Sequence, residues 1–379
     1  MRVIGRHLLG LMLATLLLGC HSPRAAAADW PFWNAFKDGF IQDDGRVVDW
    51  TEGARTVSEG QAYALFLALV ANDRTHFDRI LRWTEANLAG GRLRQQLPAW
   101  LWGYDPERDQ WGILDANSAT DADLFIAYAL LEAARLWRHP DYAETANALL
   151  QQVKAQAIRP LGERAVLLPA PDGFATEAGL RLNPSYLPPF QLHYLAQHDP
   201  EGPWSAILDE SAQALSESTP HGLPPDWLLV TDAGYRPDPE TGTLGSYDAI
   251  RVFLWAGFEV PGLAVLDQYQ QQLRPILGSV RELGWMPERW DVASGRLQGQ
   301  GPPGFQFAIA PLLRTYGAGD LAQRIQLVGE RSRHGALLGQ PARYYDQVLA
   351  LFAEGYRERR YQFDSKGRLK LQWHRDSRS

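Results

Sequence analysis

The chain is almost free of cysteine: Cys20 is the only one among 379 residues. An internal disulfide is therefore excluded, and so is cysteine catalysis in any product that loses its N-terminal leader. A basic surplus is missing too. The formal charge of −7 excludes the electrostatic footprint of a nucleic-acid binder, and it suits a neutral or cationic ligand better than a polyanion. Long hydrophobic runs are also lacking. The apolar stretch Leu8 to Gly19 is too short to span a bilayer, so no transmembrane segment is expected in the mature chain. No GxSxG elbow, P-loop or HExxH is present, and the nine histidines are scattered without metal-ligand spacing. Nothing in the residues calls for a metal or a cofactor. Past the leader, no linker, low-complexity tract or charge block divides the chain.

What is present begins with a leader. Arg2 and Arg6 precede the apolar run, as in a signal peptide. Two processing routes fit. Leu17-Leu18-Gly19-Cys20 resembles a lipobox, which would leave a lipid on Cys20; the small residues Ala25 to Ala28 offer an A-x-A cleavage site before Asp29. Cleavage there assigns residues 1–28 to the leader and 29–379 to one domain, and takes the charge from −7 to −10 with the loss of Arg2, Arg6 and Arg24. The product is expected in the periplasm or outside the cell. With 45% hydrophobic residues, it can bury a sizeable core without staples. The 14 Trp and 14 Tyr are many; their flat faces suit sugar rings, although core packing accounts for most of them.

Two kinds of helix alternate. Gly60 to Ala71 is apolar almost all round, as a fully buried helix is. Thr75 to Leu88 carries Phe77, Leu81 and Leu88 among charges, as an outer amphipathic helix would. The pair recurs with Asp121 to Leu136 and the stripe Tyr142, Ala146, Leu149, Leu150, Val153. Further helices are expected at Ser205 to Leu215, Asp248 to Ala256, Leu263 to Leu273, Phe305 to Leu313 and Tyr345 to Phe352. Buried helices alternating with amphipathic ones predict an all-α chain of two concentric rings, an α/α barrel. Small hairpins are expected within it: Ala165 to Leu168 against Leu180 to Leu182, and Tyr361 to Trp373 folded about Asp364-Ser365-Lys366-Gly367. The proline-rich stretches Pro184 to Pro189 and Leu223 to Trp227 read as loops of the kind that carry function on a rigid scaffold.

By elimination, carboxylates are the groups left to do chemistry. Glu59, in TVSEGQAY, adjoins the apolar helix, where desolvation raises a carboxyl pKa and the helix dipole lowers it. It is either a general acid or a capping carboxylate. Asp121 and Asp123 open the next apolar helix, a costly place for two acids without partners; one can cap the helix while the other faces a cleft. Asp248, in GSYDAIR, has Arg251 three residues on, so the two share a helical face and can pair. A simple ion pair explains that spacing equally well.

The run ATDAD–Leu124-Phe125–Ile126-Ala127, continuing as an Ala/Leu-rich helix to Trp137, resembles the signature of glycoside hydrolase family 8. SEGQAY and SYDAIR resemble that family's acid and base segments, and LPAWLWG (Leu97 to Gly103), NPSYLPP (Asn183 to Pro189) and PPDW (Pro224 to Trp227) follow the same order. The likeness runs from about Trp30 to the C-terminal hairpin. It departs at Ala64, where relatives commonly have Gly; inside a helix, this implies tighter packing rather than lost activity.

The resemblance implies a single (α/α)6 catalytic barrel that hydrolyses internal β-1,4 bonds of cellulose with inversion. Its expected role is bacterial cellulose synthesis, beside the synthase and export machinery. Glu59 would be the general acid and Asp248 the general base, roughly 6.5–9.5 Å apart. Asp121 would grip the distorted sugar, or act as nucleophile in an alternative description. Tyr186, Tyr247 and Arg251 would surround the reacting ring and the base, and Trp102 would offer a stacking platform, with Trp100 in the core. The same fold acting on chitosan, xylan or mixed-linkage glucan, or serving as a non-catalytic glucan-binding subunit, remains compatible with the residues.

Overall fold

A computed structural model describes residues 29–376. The leader, with Cys20 and its alternative cleavage sites, lies outside the described residues. The helices are α1 (Pro31–Phe40), α2 (Ser58–Val70), α3 (Arg74–Leu88), α4 (Thr120–Trp137), α5 (Pro140–Gln156), α6 (Pro189–His198), α7 (Trp204–Ser218), α8 (Ile250–Ala256), α9 (Ala264–Leu273), α10 (Ile276–Leu283), α11 (Pro303–Ala308), α12 (Ala310–Thr315), α13 (Gly319–Glu330), α14 (Tyr344–Arg357) and α15 (Gln372–Asp376). Among the described residues, none is long and apolar enough to cross a membrane.

Helices apolar on every side must bury every side. In α2 every residue except Glu59 is buried, and all of α8 is buried. In contrast, α3, α5 and α9 each bury one stripe among charges. The buried helices pack in cyclic order: α2 on α4, α4 on α6, α6 on α8, α8 on α11, α11 on α14, and α14 back on α2. Around them α3, α5, α7, α9 and α13 pack on the outside of their sequence neighbours. The expected helix over 305–313 is two, because Pro311 cannot supply an N–H to the continuing ladder and the chain restarts at Ala310. Five helices fall outside the sequence pattern. α1, α10, α13 and α15 are among them, α15 taking up residues expected to belong to the C-terminal hairpin; the fifth, α6, starts at Pro189, inside a stretch read as loop, where a proline at the first helical position costs no hydrogen bond.

The strands are short. β1 (Thr56–Val57), β2 (Leu101–Asp105) and β3 (Gln110–Asp115) form an antiparallel sheet that sets Trp102 opposite Thr56, beside the start of α2. The hairpin expected between Ala165–Leu168 and Leu180–Leu182 is not formed. Arg164–Leu167 pairs with Ile158–Leu161 across a tight turn at Gly162, and Gly179–Leu182 pairs with Leu228–Thr231, far along the chain. The C-terminal hairpin is as expected, Tyr361–Phe363 on Leu369–Leu371. It is seated on α4, where buried Glu132 accepts Leu369 N at 2.7 Å and Arg135 Nε at 3.0 Å.

Candidate active site

The buried helices start at one end of the molecule, and their first turns bring the acids together. Glu59 is in the first turn of α2, Asp121 in that of α4, and Asp248 in the turn before α8. Helix N-termini carry partial positive charge, which favours acids there. The unifying group is Arg251, the second residue of α8, with only 3% of its side chain exposed. Its Nη1 bonds Glu59 Oε2, lies 3.3 Å from Asp121 Oδ2, and donates to Tyr63 Oη at 3.2 Å. Its Nη2 donates to Asp248 Oδ1 at 2.6 Å and Ser185 Oγ at 2.9 Å. The Tyr186 ring faces the guanidinium at 5.5 Å.

One positive charge cannot neutralise three carboxylates out of water, so at least one is driven to hold a proton. Burial raises the Glu59 carboxyl above its ordinary value, with Arg251 opposing and Asp248 assisting. Burial likewise lifts Asp121 to about 7, again against Arg251. The dipole effect weighed for Glu59 thus loses to desolvation. Glu59 and Asp248 are bound to different ends of the same guanidinium. Ordinary hydrogen-bond lengths then cap the separation of the facing oxygens at about 8 Å.

Glu59, Asp248 and Arg251 line an open cavity of about 280 Å³, with Tyr247, Tyr345, Arg55 and Arg343 among its other walls; Asp121 is buried and is not part of that lining. Tyr247 Oη donates to Glu288 at 3.0 Å, and Tyr345 Oη donates to the Tyr247 carbonyl at 2.6 Å. Glu59, Asp121, Asp248, Arg251 and Tyr186 therefore form one cluster, with Tyr247 at its rim. Trp102 is separate from that cluster. Its ring is partly covered, stacked on Trp111 at 5.3 Å, edge-on to Trp83 and under the Arg46 guanidinium at 4.3 Å. Trp111 is the exposed member, 48% accessible, beside exposed Tyr104. Trp100 is half-buried rather than in the core, its backbone bridging Ser58 and Asn117. Neither Asp121 nor Asp123 occupies the N-cap position of α4, which is Ala119; Asp123 is wholly buried, and burial raises its carboxyl well above the ordinary range.

Sequence reasoning passed over Trp111, Tyr63, Tyr344 and Tyr345. Tyr63 was open to detection, because it lies one helical turn after Glu59 and so shares its face. Tyr344, whose Oη is 3.5 Å from Glu59 Oε1, carries no local signal.

The pattern described as Glycosyl hydrolases family 8 matches residues 7–359. The chain belongs to this family. Among curated relatives, an endoglucanase of Xanthomonas axonopodis pv. citri (strain 306) is 43% identical over 350 residues, covering 91% of this chain and 89% of the relative. An endoglucanase of Escherichia coli (strain K12) is 38% identical over 365 residues, covering 96% of each. Among solved structures, the endo-1,4-D-glucanase from Vibrio fischeri ES114 superposes with a TM-score of 0.84 at 38% identity, covering 91% of this chain and 99% of that one.

Proposed function

We propose that this family 8 glycosyl hydrolase is an endo-1,4-β-glucanase that cuts cellulose chains internally by single displacement, on an (α/α)6 barrel. One observation carries the reading: a single buried guanidinium gathers three carboxylates from separate helices beside an open, tyrosine-walled cavity. The cyclic packing of six buried helices inside amphipathic ones supports the barrel. The endoglucanase relatives support the substrate.

In this reaction Glu59 is the general acid, whose hold on its proton burial strengthens, and it gives that proton to the glycosidic oxygen as the bond to the anomeric carbon breaks. Asp248 is the general base. It is 30% exposed on the side chain, open to a water that loses a proton to it while attacking the anomeric carbon from the opposite face. A separation of up to about 8 Å is compatible with the roughly 6.5–9.5 Å that admits such a water. Asp121, a carboxyl poised near neutrality, grips the distorted ring; no covalent intermediate is formed on it. Trp111 and Trp102 extend the groove as a stacking surface. The leader-like residues 1–28 support release into the periplasm or beyond, and a role in cellulose synthesis and export.

Viscosity loss in soluble carboxymethylcellulose tests the reading, comparing wild type with Glu59→Gln. A rapid fall with wild type alone is expected, with the first reducing ends appearing by NMR as α-anomers. Faster cleavage of chitosan or xylan would overturn the substrate, wild-type rates in Glu59→Gln would overturn the acid, and initial β-anomers would restore a nucleophile.

A further inference from the structure

The segment Pro224 to Trp227 contributes no reacting group, yet it underlies the turn that carries Asp248. Asp226 N donates to Leu244 O at 2.8 Å. The Asp226 side chain, 5% exposed, collects the backbone of that turn. Its Oδ1 accepts Ser246 N at 2.8 Å, Asp248 N at 3.1 Å and Ala249 N at 2.7 Å, while its Oδ2 accepts Ser246 Oγ at 2.5 Å. Trp227, the next residue, donates Nε1–H to Asp248 Oδ2 at 3.1 Å, opposite the Arg251 bond to Oδ1. The indole is itself fixed, stacked on Phe174 at 5.6 Å and capped by Arg181 at 5.2 Å.

We infer that Asp226 and Trp227 are positioning residues that form a latch on Asp248: Asp226 fixes its backbone, and Trp227 fixes the rotation of its carboxylate. This rests on Asp248 being the base of the proposed reaction. Three N–H groups aimed at one carboxylate oxygen are charge-assisted bonds, roughly twice as strong as neutral ones, and the turn cannot rotate without breaking them. Both Asp248 oxygens already hold a donor, so the carboxylate cannot swing, and its remaining lone pairs are left for water. Burial, followed by the charge of Asp248, raises the Asp226 carboxyl above its ordinary value. The other groups facing the pair are Tyr345 beside Asp226 and Asp248, and Arg251, Glu59 and Asp121 around Asp248.

Replacing a carboxylate that merely stabilises the fold would move melting and leave kcat alone, whereas Asp226→Asn should lower kcat in a folded protein by weakening the charge-assisted bonds. The amide keeps an acceptor oxygen for the backbone and can donate to Ser246 Oγ, but it has no charge. The test measures kcat and KM on carboxymethylcellulose for Asp226→Asn, Asp226→Ala, Trp227→Phe and Asp248→Asn, with folding followed by circular dichroism. In Asp226→Asn, kcat is expected to be about tenfold lower with KM within about twofold. For Trp227→Phe, kcat should fall about tenfold with KM within about twofold, and for Asp226→Ala it should fall about a hundredfold. An inactive Asp248→Asn beside wild-type kcat in both Asp226→Asn and Trp227→Phe would overturn the latch alone. Full turnover by Asp248→Asn would overturn the base assignment, and the latch with it.

Discussion

Replacing Asp121 with Asn should make the protein more stable at alkaline pH while weakening its catalysis. In the native state burial lifts the Asp121 carboxyl from 3.8 to about 7, despite Arg251 at 3.3 Å. An acid with a raised folded pKa costs nothing at low pH, where both states are protonated. The cost builds as pH rises through the unfolded value, and it is complete above the folded one. A gap of about three pH units corresponds to on the order of 4 kcal/mol. Asn is nearly isosteric with the protonated acid and does not titrate. The advantage of Asp121→Asn should therefore grow from near zero at about pH 4 to about 4 kcal/mol by about pH 8. For a chain of this length, that is roughly 6 °C in Tm. Calorimetric or fluorimetric melting of both proteins across this pH range measures the difference directly. A difference flat with pH, or a variant that loses ground as pH rises, would mean that the guanidinium more than repays the burial of Asp121, and the reasoning would be wrong.

Trp111→Ala should raise KM for long glucans about tenfold through lost stacking, with kcat and Tm nearly unchanged, since the ring is 48% exposed; steady-state kinetics on polymer and on short oligosaccharides check this. Gly245→Ala should destabilise by about 3 kcal/mol or more, because its new Cβ would run into Trp290 Nε1 and the Pro224 carbonyl oxygen. Chemical denaturation reads this loss, and activity should fall with it as the neighbouring Asp248 turn shifts. Glu132→Ala should cost about 3 kcal/mol by stranding Arg135 and the Leu369 N–H, and limited proteolysis should then cut first within 361–371.

How much was legible depended on whether each signal was local. A helix with no polar side, such as α2 or α4, announces complete burial in one line of sequence, and the alternation with striped helices gives the ring order. The Asp248–Arg251 pair was likewise readable, because three residues on a helix bring side chains to one face. Pairings set by tertiary contact were not. Leu180 looked like a partner for a nearby strand, yet it lies opposite Val230. Nothing near Glu59 announces Arg251, 192 residues on. Trp102 and Trp111 have similar local surroundings, and only the hairpin register decides which ring is left open. The beginning of α6 was masked by Pro188 and Pro189, which serve a loop and a helix start equally well.

The reach of Arg251 also has a kinetic meaning. Its carboxylate partners lie 192, 130 and 3 residues away, and Tyr344 approaches Glu59 across 285. Contacts of such separation form only after long loops have closed. A truncated or half-folded chain still carries every acid, but it has no acid–base pair. On refolding, hydrolysis should return as the last signal, behind helicity and compaction. The enzyme is thus silent until the chain has closed on itself, and its first turnover certifies that it has.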